Sequence, residues 1–207
     1  VNDVFICCDD KKIYNVVKKY GANVIMTSKH HPNGTDRICE AFKKIKNNSR
    51  YNLVVDVQGD EPLISPNHID KVIDYHLKNM EVDIILPNLK IKFSNNTNLV
   101  KLVTNKKNDV LYISRANIPY EFKNRVKHLK KHLSVVSFKP QSLIKFGKSG
   151  VSELEKIEDI ELLRAIDIGL KIRTLNLKGD SFSIDIFEDY KKAQIQISRD
   201  RYFKFYR

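Results

Sequence analysis

The sequence contains little cysteine and no long hydrophobic run. Its three cysteines, two of them adjacent at Cys7 and Cys8, provide neither a disulfide framework nor a CxxC metal site. No apolar stretch approaches the roughly 20 residues that a membrane-spanning helix needs. The first ten residues place no basic segment before the apolar stretch, so we expect no signal peptide. These absences favour a protein of the reducing cytoplasm that does not insert into a membrane.

Length and composition favour one globular domain. The 207 residues are 42% hydrophobic and 30% charged, which suits a chain with a substantial core. The sequence has no internal repeats and no low-complexity linkers. We therefore expect a single domain over residues 1–207.

The net charge of +12 raises the question of a nucleic-acid partner. The basic residues, however, are spread along the chain without a recognised nucleic-acid motif. Lysine-rich solvated faces, or a small polyanionic substrate, explain the excess charge more simply. We expect no nucleic-acid partner.

Strand and helix patterns alternate through the first 90 residues, which predicts an α/β fold with a mostly parallel sheet flanked by helices. The predicted strands in this part are Val4–Cys8, Asn23–Thr27, residues 53–57 and Asp83–Leu86. The pattern then changes, because Leu99–Thr104 and Val110–Ser114 flank a polar turn and predict a hairpin. A basic segment follows, Lys123–Lys131, so we expect an excursion from the main sheet near residues 99–131.

Two predicted helices carry polar residues of interest. Thr35 is placed to be the N-cap of the helix that follows the loop with Pro32 and Gly34. Residues 152–168 form the longest helix candidate, and its acidic side chains are spaced to share one face. These are Glu155, Glu158 and Glu161, with Arg164 beside them. A solvated face with local ion pairs is the simpler interpretation of this stripe.

The segment from Tyr51 to Pro62 predicts a buried strand that ends at a polar turn. The apolar run stops at Gln58, and Gly59 and Pro62 then favour a tight turn. In open parallel sheets, ligands bind outside the carboxyl ends of the strands, so Gln58, Asp60 and Glu61 would face the binding crevice. A carboxylate there is a suitable ligand for Mg²⁺ on a substrate phosphate. Asp60 could equally be only a turn residue.

Seven motifs along the chain resemble, in order, those of the sugar-acid cytidylyltransferases, most closely the 3-deoxy-manno-octulosonate cytidylyltransferase family. They are NGTDR at 33–37, VQGDEP at 57–62, VKLV at 100–103, YISRANIP at 112–119, KHL at 131–133, LEKIEDIELLR at 154–164, and ID at 184–185 with ED at 188–189. The resemblance implies a Rossmann-like nucleotidyltransferase fold that forms a homodimer through the middle excursion. It also implies transfer of CMP from CTP to 3-deoxy-manno-octulosonate (Kdo) with release of pyrophosphate.

The resemblance also implies roles for individual residues. The implied catalytic residues are Asp60, Asp185 and Arg115, and the two aspartates are the implied Mg²⁺ ligands. The implied nucleotide contacts are Gly34, Thr35, Arg37 and Gln58. The implied sugar contacts are Gln58, Arg115, His132, Glu158 and Glu161. From the residues alone, Asp185 and Glu188 also have the spacing of a helix-capping pair.

The chain departs from the family pattern at several positions. The family's PARxxSxRLPGK-type loop, whose Arg and Lys hold the triphosphate, has no counterpart, so we expect one βα unit of roughly 30 residues to be missing before Val1. Leu162 and Phe138 replace a usual Gln and Tyr, and Ile186-Phe187 replaces Thr-Pro. Two alternatives therefore stay open: a cytidylyltransferase for another sugar acid, such as 8-amino-Kdo or a capsule sugar, and a non-catalytic homologue that binds nucleotide sugars.

Overall fold

The computed structural model describes residues 1–180, 183–184, 186–200 and 202–205, in which strands and helices are interleaved. Up to residue 91 the elements are β1 (Ile6–Cys8), α1 (Lys11–Lys19), β2 (Val24–Met26), α2 (Gly34–Lys44), β3 (Val54–Val57), α3 (Pro66–Leu77) and β4 (Ile84–Ile91). The later elements are β5 (Lys101–Thr104), β6 (Val110–Ser114), β7 (Leu129–His132), β8 (Val135–Phe138), α4 (Pro140–Lys148), α5 (Glu153–Glu158), α6 (Leu162–Asp167), β9 (Ile172–Leu177) and α7 (Phe187–Ile197). None of the described helices is long and apolar enough to cross a bilayer.

The strands form two sheets. β1 and β2 pair in parallel. The larger sheet has the order β3-β8-β4-β7-β5-β6, and β9 pairs in parallel with β4. The predicted α/β class is confirmed.

The larger sheet is mixed, which corrects the expectation of a mostly parallel sheet. β8 returns antiparallel between β3 and β4, and β7 returns antiparallel between β4 and β5. β7 was not predicted, because its sequence LKKH continues a lysine-rich run that resembles a surface segment. The strands of the middle excursion thus join the sheet and break its parallel pattern.

The predicted hairpin in this excursion is confirmed. β5 and β6 pair antiparallel, with Lys101 opposite Ser114. The turn between them closes where the Asn108 N–H donates to the Asn105 carbonyl at 3.1 Å. Asn108 has φ 63°, a left-handed conformation that asparagine tolerates better than most residues.

Hydrophobic clusters cover both faces of the larger sheet. Ile84 and Leu86 of β4 pack in the cluster that includes residues of α2, α4 and α6. Ile85 packs in the opposite cluster, with residues of α3. The same alternation runs along β3, where Val54 contacts the first cluster and Val55 the second.

The single helix predicted over 152–168 is wrong, because the chain breaks at Asp159. This residue has φ 52° and separates α5 from α6. The Ser152 side chain and Glu155 form a capping box at the start of α5. Because of the break, Glu161 lies outside the helix that carries Glu155 and Glu158, and each of the three side chains has a different partner.

Candidate active site

A cavity of about 850 Å³ opens beside the end of β3. Its walls are the turn after β3, residues 96–100, the ends of β6 and β7, the junction of α5 and α6, and α7. Six residues predicted for the site line it: Gln58, Asp60, Glu61, Arg115, His132 and Glu161. Gly34, Thr35, Arg37 and Glu158 are not part of its lining.

The two carboxylates of the turn after β3, Asp60 and Glu61, have different roles. The Gln58 N–H donates to the Ser134 carbonyl at 3.1 Å, which fixes the start of the turn on β8. Glu61 is buried and accepts a hydrogen bond from Ser134 Oγ at 2.8 Å. Asp60 is exposed and lines the cavity. Glu61 therefore holds the turn, and Asp60 is the residue presented to a ligand.

The chain near residue 185 runs along the same wall. The Ile184 N–H donates to the Asp60 carbonyl at 2.9 Å, and Ser183 and Ile186 line the cavity. Asp185 itself lies outside the described residues, so its meeting with Asp60 stays a prediction. Ile186 is the N-cap position of α7, and the alternative that Asp185 caps this helix with Glu188 also concerns a residue outside the described ones.

The start of α2 differs from the predicted cap. Asn33, and not Thr35, is the N-cap, and its Oδ1 accepts the Asp36 N–H at 2.8 Å. Thr35 is buried, and its hydroxyl donates to Glu161 Oε1 at 2.8 Å. Gly34 faces open space, since no atom lies within 4 Å of the place where a Cβ would stand. The start of α2 therefore exposes its backbone at Gly34, next to the hydrogen bond that links Thr35 to Glu161 in the cavity wall.

Arg37 ties this helix to the small sheet. Its guanidinium donates to Asp9 at 2.7 Å and to Thr27 Oγ1 at 2.8 Å. It also reaches the Ser28 carbonyl at 3.3 Å. Arg37 thus joins the carboxyl ends of β1 and β2 to α2, next to Gly34 and Thr35.

Arg115 and Glu158 are locked together at the opposite wall. Arg115 Nε donates to the Glu158 carbonyl at 2.8 Å, and the Arg115 N–H donates to Glu158 Oε2 at 2.9 Å. The other carboxylate oxygen of Glu158 accepts a hydrogen bond from Ser114 Oγ at 2.6 Å. Glu158 therefore lies behind Arg115 as a support, while Arg115 faces the cavity.

His132 presents a neutral imidazole. Burial lowers its pKa to about 4. Its Nδ1 is buried and has no hydrogen-bond partner among the described residues. A ring nitrogen in this state can accept or donate a hydrogen bond to a ligand hydroxyl.

Asp56 is a buried acid that the sequence reasoning missed. It lies on β3 with 3% of its surface exposed, and its Oδ2 has no hydrogen-bond partner among the described residues. Burial, together with the charges of Glu161 and Asp60, raises its pKa to about 8. Burial also raises the pKa of Glu161. The signal was an aspartate between valines in a predicted buried strand.

We expect Asp56→Asn to become more stable than the wild type as the pH rises. The wild-type carboxyl ionises near pH 3.9 when unfolded, but near 8 when folded, so the wild type loses stability between these values. The stability difference should therefore grow by up to about 1.4 kcal/mol per pH unit in that window. Urea unfolding from about pH 5 to about pH 8 measures it. Asp70→Asn, at an exposed position on α3, is the control, and a constant difference for Asp56→Asn would contradict the assignment.

Comparison with known proteins agrees with this arrangement. The sequence profile of the cytidylyltransferase family matches residues 1–172. The chain is 37% identical over 208 residues to the 3-deoxy-manno-octulosonate cytidylyltransferase of Thermodesulfovibrio yellowstonii, over 94% of this chain and 81% of that protein. It is 39% identical over 194 residues to the enzyme of the same name from Rickettsia rickettsii, over 91% of this chain and 77% of that protein.

The fold agrees as well. A solved structure of CMP:2-keto-3-deoxy-manno-octonic acid synthetase complexed with CTP superposes with a TM-score of 0.87 at 26% identity. The superposition covers 96% of this chain and 82% of that chain, and it confirms the predicted nucleotidyltransferase fold. The chain therefore belongs to the cytidylyltransferase family, among the 3-deoxy-manno-octulosonate cytidylyltransferases.

Proposed function

We propose that this protein transfers CMP from CTP to the anomeric hydroxyl of Kdo and releases pyrophosphate, in the synthesis of a lipopolysaccharide or capsule precursor. The observation that carries the proposal is the superposition of 96% of the chain on a synthetase complexed with CTP. The cavity supports it, because a volume of about 850 Å³ suits a small-molecule substrate.

The sugar side of the cavity would be formed by Arg115, His132 and Gln58. The planar guanidinium of Arg115 suits a sugar carboxylate better than a lysine would. Its backbone and Nε are fixed by Glu158, so little side-chain freedom is lost when the sugar binds. The neutral imidazole of His132 would then bind a sugar hydroxyl.

The nucleotide side would be formed by the start of α2. Gly34 leaves room for close approach of a ligand to the backbone. The N-terminus of α2 carries N–H groups and a partial positive charge that favour an anionic group. The hydrogen bond from Thr35 to Glu161 links this side to the cavity. Arg37 would keep the helix start in place through Asp9 and Thr27.

Asp60 and Asp185 would hold Mg²⁺. The described residues contain no group of three or more His, Cys, Asp or Glu suited to a metal ion. Two aspartates suffice for Mg²⁺, because this ion is held by one or two carboxylates together with substrate phosphates. Asp60 is an exposed carboxylate on the cavity wall, which is the donor type required. When bound, the ion supplies charge neutralisation to the triphosphate.

The reaction itself needs positioning more than covalent participation by the protein. The anomeric oxygen forms a bond to the α-phosphorus of CTP while the bond to pyrophosphate breaks. The hydroxyl proton passes to solvent water as the new bond forms. The contribution of this chain is to hold the sugar acid through Arg115 and His132 in line with the leaving group.

A substrate panel tests the proposal. We expect pyrophosphate release with CTP and Kdo, and at least about tenfold lower kcat/KM with 8-amino-Kdo or a capsule sugar acid. Preference for another acceptor would overturn the choice of sugar. CTP binding without pyrophosphate release from any acceptor would overturn catalysis in favour of a non-catalytic binding protein.

The homodimer and the cytoplasmic location belong to the same proposal. Leu111, Tyr120 and Phe122 are large apolar side chains of the excursion near 99–131, and Tyr120 and Phe122 are more than four-fifths exposed. Exposed apolar side chains of this size favour burial against a second copy. All three cysteines are free thiols, which suits a reducing compartment.

A further inference from the structure

Lys101 is a buried lysine on the second strand from the edge of the sheet. Only 1% of its surface is exposed. Its ammonium makes no described ion pair; instead it donates to two backbone carbonyls, those of Asn96 at 3.3 Å and of Arg115. Burial lowers the pKa of this ammonium. A buried cation is costly, so an apolar side chain would be the simpler choice at this place in a strand.

The two carbonyls belong to different walls of the cavity. Asn96 lies in the loop before β5, and Arg115 follows β6, and both residues line the cavity. Lys101 connects these walls, because its ammonium donates to both carbonyls. In the sheet it pairs with Ser114 on one side and with Lys131 on the other. Its long side chain, with three donors, reaches both carbonyls at once.

Arg115 also joins these two walls of the cavity, through its guanidinium. Its guanidinium donates to the Thr97 carbonyl at 3.4 Å, next to the Asn96 carbonyl that Lys101 holds. Its N–H is fixed by Glu158, while its carbonyl is fixed by Lys101. Both ends of the Arg115 backbone are therefore held, and the loop at 96–97 is held by two cations.

We propose that Lys101 is a positioning residue for the sugar acid: its ammonium fixes the loop at 96–97 and the backbone of Arg115, and so sets the place of the Arg115 guanidinium in the cavity. This inference rests on the proposed function, in which Arg115 binds the sugar carboxylate. It assigns no direct contact between Lys101 and substrate.

Lys101→Met tests it, because methionine keeps most of the side-chain volume and removes the donors. We expect the KM for Kdo to rise about 10- to 100-fold, since a small displacement of a binding group has effects of that size. The KM for CTP should change less than about threefold, because the Lys101 contacts lie away from α2. Lys101→Arg, which restores the charge and the donors, should recover most of the affinity.

Lys130→Met is the matched control. Lys130 lies on the neighbouring strand, burial lowers its pKa as well, and its ammonium donates to Thr104 Oγ1 at 2.6 Å, away from the cavity. The KM values of Lys130→Met for Kdo and for CTP should match those of the wild type. An equal rise of both KM values in Lys101→Met, or the same change in Lys130→Met, would overturn the proposal.

Hydrogen exchange separates this proposal from the proposed function. Backbone amides at 96–99 and 115–116 should exchange at least about tenfold faster in Lys101→Met than in the wild type, whether or not the wild type turns over Kdo. Unchanged exchange there would overturn the positioning role. If Lys101→Met does not fold, Lys101→Gln, whose shorter side chain ends in a neutral amide with two N–H donors, carries both measurements with the same outcomes.

Discussion

Asp60→Asn should lower kcat at least about a thousandfold, because in the proposed function several kcal/mol of charge stabilisation around the triphosphate depend on this carboxylate. The fold should be unaffected. Asp60 is exposed, and the contact that holds its turn to the chain at Ile184 uses the backbone carbonyl, which the substitution leaves in place. Pyrophosphate release across a Mg²⁺ titration measures the effect on turnover, and urea unfolding measures the effect on stability.

The control for Asp60→Asn is the same change at another carboxylate of the cavity. Asp189 lines it from α7 and pairs with Lys192 at 3.3 Å. Asp189→Asn removes one negative charge from the same space but should lower kcat less than about tenfold. If both variants lose activity equally, the effect is one of general charge. If Asp60→Asn keeps Mg²⁺-dependent turnover within about tenfold of the wild type, Asp60 is not a ligand of the metal ion.

The sequence predicted the turn after β3 well because its determinants are local. A β-branched run ends at Gln58, and Gly59 and Pro62 then impose the turn within four residues. The prediction did not separate the two carboxylates. Glu61 is buried by its bond to Ser134, which is 73 positions away in the chain, and no local pattern carries that information.

The glutamate stripe shows why the rest of the site could not be predicted. Periodicity placed Glu155, Glu158 and Glu161 on one face of one helix, but Asp159 adopts a left-handed conformation between them. The energy for this break comes from distant partners. Glu158 is bonded by Ser114, and Glu161 by Thr35, at separations of 44 and 126 positions. Tertiary contacts of this kind override local helix propensity.

The start of α2 shows a competition that propensity alone does not decide. Asn33 and Thr35 are both good N-cap residues. Asn33 takes the cap, and its Nδ2 also donates to Glu155 Oε1 at 3.1 Å. Thr35 instead donates its hydroxyl hydrogen to Glu161. The choice is therefore made by Glu155 of α5 and by Glu161 at the N-cap of α6.

The largest loss of stability is expected at Arg164, which joins Glu155 of α5 to Asp36 of α2. Its guanidinium is 1% exposed, lies 4.2 Å from the centre of the Phe146 ring, and donates to both oxygens of Glu155 and of Asp36. Arg164→Met would leave two carboxylates without their cation, Glu155 buried and Asp36 partly so. Removal of one partner from a buried ion pair costs about 3–5 kcal/mol, which urea unfolding measures.

Two further variants decide whether the unpaired charges of Glu155 and Asp36 cause this loss of stability. Arg173→Met is the control, because Arg173 also pairs with two acids, Asp109 and Glu81, but Glu81 is mostly exposed and its ion pair is screened by solvent. It should cost less than half as much. Adding Glu155→Gln and Asp36→Asn to Arg164→Met should then recover at least half of the lost stability, since the uncompensated charges are gone. If Arg164→Met costs no more than Arg173→Met, or if neutralising both acids recovers nothing, the stabilisation comes from packing on Phe146 and not from the ion pairs of Arg164 with Glu155 and Asp36.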